Sequence, residues 1–231
     1  MLAAGLLALA ATWTTAFAGP VNDFETKMRA AYGQYRVALF TTSAGKGDEA
    51  ARALTTFRTA WTALGAGNVA PPQYADDARY AATLATVAEI AGKAATEIGS
   101  GKLTEAHETL EAIRDQIGSL HERNGIVGFS DRMNAYHARM EEVLAAAPKL
   151  DAATLPTVGA DVAVLAYLAD EVVRLPPPEA ATDPAFKALS GDLLASVAAA
   201  KAALASGDIA AAKTALGALK APYAKLFLKF G

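Results

Sequence analysis

The residues able to do chemistry are few: three His, four Met and no Cys in 231 residues. Without Cys there is no disulfide framework, thiolate zinc site, Cys nucleophile or covalent c-type haem attachment. Imidazole, thioether and carboxylate remain. Imidazole with thioether suits copper, and imidazole with carboxylate suits iron or zinc. The stretch His121-Glu122-Arg123-Asn124 is followed by Asp131, Met133, His137, Met140 and Glu141. Met133, His137, Met140 and Glu141 fall at i, i+4, i+7 and i+8, which puts them on one helix face. His121, Met133, His137, Met140 and Glu141 are therefore candidate metal ligands. The competing reading makes Met133 and Met140 core filler, His137 a hydrogen-bonded half-buried residue and Glu141 a solvated one. His107 has only Glu108 and Glu111 beside it and reads as a surface residue.

Catalytic patterns are missing from the chain. It has no HExxH, no Gly-rich phosphate loop and no Ser in a nucleophile-elbow context. The formal net charge is −3 and the basic residues are scattered, which leaves no electrostatic footprint for nucleic acid. The expectation is a binding protein and not an enzyme.

The elements that must position these donors are helices. Ala, the best helix former, dominates the composition. Apolar residues recur every three or four positions, as in Leu103, Ala106, Leu110, Ile113, Ile117 and Leu120. The fold class is all-α.

The chain also repeats itself. Asp23-Phe24-Glu25-Thr26-Lys27-Met28 aligns with Gly128-Phe129-Ser130-Asp131-Arg132-Met133. At nearly the same offset Pro71-Pro72 aligns with Pro177-Pro178, Gly101 with Gly207, Leu110 with Leu216 and Leu120 with Leu226. One unit spans 22–125 and the other 128–231. Gly and Pro punctuation divides each into four helices: 22–43, 47–65, 73–100 and 102–124, then 129–147, 151–174, 181–206 and 208–229. Short breaks favour antiparallel neighbours, so the expected architecture is two tandem antiparallel four-helix bundles. The counterparts of His137, Met140 and Glu141 are Tyr32, Tyr35 and Arg36, so only the second unit carries donor atoms at those positions.

In such a bundle Met28, early in the first helix, and His121, late in the fourth, share a pole. Met with His is an axial ligand pair for haem iron. Phe24-x3-Met28, Pro71-Pro72 and Gly101-Lys102-Leu103-Thr104-Glu105-Ala106, with His121 at the matching distance, resemble the periplasmic cytochrome b562 family. The resemblance covers most of 22–124. It implies a four-helix bundle holding haem b non-covalently between Met28 and His121, and electron transfer with a redox partner. Two positions depart from the family. Ile117 and Gly125 stand where the family has basic residues around its His, and Phe227 stands at the His position of the second unit.

Residues 1–18 read as an export signal. They form an apolar run ending in Ala16-Phe17-Ala18, although no charge appears before Asp23. An exported chain without Cys points to a periplasm, and no later run looks able to span a membrane. Three functions follow from these readings. The first is a periplasmic haem b protein using Met28 and His121. The second is a haem-free copper or iron protein using the face from His121 to Glu141, with a metal-transfer partner. The third is a scaffold without cofactor.

Overall fold

A computed structural model describes residues 19–66 and 70–231, so the export-signal segment lies outside the described residues. Among the described residues the chain is helical and contains no strand. The helices are α1 (Pro20–Ser43), α2 (Gly47–Gly65), α3 (Tyr80–Gly99), α4 (Leu103–Arg123), α5 (Phe129–Ala146), α6 (Leu155–Arg174), α7 (Pro184–Ser206), α8 (Ile209–Gly217) and α9 (Lys220–Phe230).

Local sequence accounts for most of these boundaries. Pro stands in the first turn of α1, α6 and α7, where its missing N–H costs nothing. Asp183 caps α7 by accepting from Ala185 N–H at 2.8 Å. Asp208 caps α8 by accepting from Ala210 and Ala211 N–H at 2.9 and 3.0 Å. Gly207, with φ of 75°, ends α7 in the left-handed region that side chains resist.

Two helices differ most from expectation, while α6 and α7 start a few residues late, at Leu155 and Pro184. The third was expected from residue 73, yet Pro72–Tyr74 forms a 3-10 turn and α3 starts at Tyr80. Asp77 is committed elsewhere. It accepts from Arg79 N–H at 2.9 Å and from Arg123 and Asn124 at the end of α4 at 3.0 Å each. The last helix was expected to be continuous, and it breaks after Gly217. Pro222 explains this, because its ring would clash with the carbonyl of Ala218 in an unbroken helix.

Packing follows the apolar stripes. Along α4, Ala106, Leu110, Ile113, Ile117 and Leu120 are buried. α1 packs on α2 and α4, and α3 on α2 and α4. α6 packs between α5 and α7, while α7 carries α8 and α9. Across the halves, α1 packs on α9. Buried side chains of both halves belong to one continuous apolar cluster. By length and composition α7 alone among the described helices could cross a membrane. Its Phe186, Leu193, Val197 and Leu204 are buried within the protein.

Candidate functional site

His121 sits in the last turn of α4 and is only 5% exposed. Its Nδ1–H donates to Asp131 Oδ2 at 2.8 Å and lies 3.0 Å from Oδ1. Asp131 is itself fixed: as the third residue of α5, its Oδ2 also accepts from Gly128 N–H at 2.6 Å. A carboxylate only accepts here, so Nδ1 carries the proton and the other nitrogen, Nε2, keeps its lone pair in the neutral ring. Nε2 is buried and has no hydrogen-bond partner. Facing it at 4.0 Å is Glu25 Oε2. The other oxygen of Glu25 is occupied by Gln73 Nε2 at 2.8 Å and the Tyr74 hydroxyl at 2.9 Å.

Burial works against an imidazolium at His121. The Asp131 hydrogen bond, its charge and that of Glu25 outweigh burial and raise the pKa above its ordinary value. The end of α4 that carries His121 is tied down by Arg123 and Asn124 on Asp77. The hydrogen bonds to Asp77, from Asn124 foremost, then from Arg79 N–H and Arg123, bring its carboxyl down to about 2.

His121 and Glu25 line a cavity of about 180 Å3 that also includes Met28, Arg29, Tyr32 and Ile117. The opposite wall comes from the second half, through Phe129, Arg132 and Pro176–Pro178. The structure thus places Met28 and His121 at one site. Its volume falls below the ~300 Å3 at which sites for drug-sized ligands begin, and Glu25 Oε2 is the charged group nearest Nε2.

The α5 donors are arranged differently. Met133 and Met140 are fully buried in the core. His137 Nδ1 lies 2.6 Å from Arg114 Nη1. Guanidinium can only donate, so Nδ1 is the acceptor and Nε2 carries the proton, 3.4 Å from Glu141. Neither nitrogen offers a lone pair to a metal. Burial, then the Arg114 charge, lowers the His137 pKa to about 4. Its ring stacks on Tyr223 with centroids 5.1 Å apart. Glu141 also pairs with Lys220 at 3.2 Å. None of Met133, His137, Met140 and Glu141 lines the cavity that holds His121. His107 is not a plain surface residue either, since its Nδ1 reaches the Leu39 carbonyl at 3.0 Å.

Sequence reasoning missed Glu25 as a donor and Arg114 as the partner of His137. Glu25 lies one turn before Met28, and that spacing was the one available signal. Among the described residues no three His, Asp or Glu side chains form a group that could hold a metal ion. The cavity offers one imidazole, one carboxylate and one thioether-bearing residue. No family model matches the chain, and no curated protein or solved structure is significantly similar to it.

Proposed function

We propose that this protein is an exported, non-catalytic helical protein that binds one transition-metal ion, copper or iron, through His121, Glu25 and Met28. A single observation carries this reading: a buried imidazole nitrogen with no partner, on a ring whose other nitrogen is locked by a carboxylate. That second-sphere arrangement orients histidine ligands in metal sites. Imidazole, carboxylate and thioether together suit copper or iron. Two ligands at ~2.0–2.2 Å from a tetrahedral ion lie about 3.3–3.6 Å apart. The 4.0 Å between Nε2 and Oε2 needs only a small closing movement of Glu25. A bound ion takes the place of the Nε2 proton, so binding releases protons and weakens in acid.

The same reading takes the chain as two tandem four-helix units in the periplasm, meeting a redox or metal-transfer partner. Equivalent punctuation supports the duplication. Each double proline leads into a 3-10 turn, Pro72–Tyr74 and Pro178–Ala180, before a third helix. Gly101 and Gly207 have φ of 74° and 75° ahead of the fourth helix.

Calorimetric titration of metal-free protein with Cu(I), Cu(II), Fe(II) and Zn(II), beside a haem titration followed by absorption, tests the proposal. The expected result is one equivalent of copper or iron, lost in His121→Ala, weakened in Glu25→Gln and kept in His137→Ala. Undiminished affinity in folded His121→Ala overturns it. A Soret band that depends on His121 also overturns it, in favour of the haem site.

A further inference from the structure

Polar groups converge a second time between the two halves. There α1 packs on α9, while α4 and α5 meet through Arg114 and His137. The crevice left on that side has a volume of about 500 Å3, inside the ~300–1,000 Å3 range of small-molecule sites. Its charges are layered by depth. At the floor are Arg114, with a side chain 12% exposed, and His137, 16% exposed. At the mouth are Glu111 and Glu141, 46% and 42% exposed.

The two layers offer opposite chemistry. Arg114 has only donors. His137 accepts from Arg114 through Nδ1 and so presents an Nε2–H donor. The mouth presents carboxylate acceptors: Glu111, Glu141 and Asp115 stand there with one ammonium, Lys220. Leu39, Phe40 and Tyr223 give an apolar wall, and Phe40 is exposed. The layers face each other across long contacts, Arg114 Nη2 to Glu111 at 3.3 Å and His137 Nε2 to Glu141 at 3.4 Å. A molecule carrying both charges can enter between them and leave neither layer unpaired, whereas a simple anion or a simple amine leaves one of them uncompensated.

We propose that this crevice binds a small zwitterion with apolar side chains, of amino-acid to dipeptide size. Its carboxylate lies on Arg114 and the Nε2–H of His137, and its ammonium lies between Glu111 and Glu141. A planar guanidinium matches a carboxylate in shape as well as charge. Arg114 is also held in place beforehand, with Nη1 on His137 at 2.6 Å and Nη2 on Glu111 at 3.3 Å. Little ordering is then left for the binding step. The site shares no residue with the His121 cavity and stands independently of the metal proposal.

Calorimetry on the full, metal-free chain with L-leucine and L-leucyl-L-leucine tests it. N-acetyl-Leu-Leu and Leu-Leu-amide serve as controls. The expected result is saturable one-to-one binding of a zwitterion. Either blocked form binds about tenfold more weakly or worse, since each loses a charged hydrogen bond. Arg114→Lys and Glu141→Gln weaken binding by a similar factor. Absence of saturable binding by either zwitterion overturns the proposal. Equal affinity for Leu-Leu-amide overturns it too, by reducing the crevice to an apolar hollow.

Discussion

Asp131→Asn isolates the electrostatics of the His121 site. The His121 and Asp131 side chains are 7% and 17% exposed, so solvent screens their interaction little. Removing one partner of a buried ion pair costs ~3–5 kcal/mol. Asn keeps a neutral acceptor worth ~0.5–1.5 kcal/mol, which reduces the expected loss to about 2–4 kcal/mol when the imidazole is charged. The sign of the pH dependence follows from the raised native pKa of His121. A group whose pKa is raised on folding stabilises the fold fully below its unfolded value of ~6.5. That contribution is lost as pH rises through the native value. In Asp131→Asn the burial effect prevails, the raised pKa collapses and the acid-side contribution disappears. The gap between native protein and variant should be about 2–4 kcal/mol at pH 5.5 and shrink to about 1 kcal/mol at pH 9. Urea denaturation followed by far-UV circular dichroism, with chelator present to keep the cavity metal-free, measures it. A gap equal at both pH values, or larger at pH 9, would refute the idea that Asp131 works through a charged His121.

Two other outcomes are expected. Nitrogen-15 spectra should show the His137 ring neutral, protonated on Nε2, from pH 5 to 8, with its proton gained only near pH 4. Because this pKa is depressed on folding, the stability tied to His137 is present above ~6.5 and fades as pH falls toward 4. A ring titrating near 6.5 would contradict the Arg114 contact. Arg36 is 8% exposed, its Nε and Nη1 lack hydrogen-bond partners, and burial lowers its pKa. Arg36→Met should therefore stabilise the protein by about 1–3 kcal/mol in urea melts. A loss of stability there would show that the guanidinium has a stabilising role the contacts do not reveal.

Periodicity made the helices legible, because burial of a helix face leaves its mark in the residues on that face: the Ala106–Leu120 stripe is buried where the spacing says it should be. The delayed start of α3 was not legible. It depends on Asp77 meeting Arg123 and Asn124, partners more than forty positions away. The break before α9 was written plainly in Pro222, yet the apolar pattern ran across it. At the site, residue type and pole brought Met28 and His121 together, since both lie near helix ends. What each histidine can do was hidden. The partner of Nδ1 decides it: Asp131 leaves His121 a lone pair, whereas Arg114 takes that of His137. Glu25 and Arg114 look like ordinary charged helix residues until the opposite helix is known.

The break between α8 and α9 also bears on how the chain reaches its structure. Helices shorter than ~12–15 residues are marginal alone in water. α8 has 9 residues and α9 has 11, so each forms by docking and not ahead of it. The surfaces that receive α9 are α7 and α5, within its own half, and α1, the first helix of the other half. Folding of the C-terminal segment therefore waits on the N-terminal half. Amide protons of α9 should be the last in the chain to gain protection during refolding.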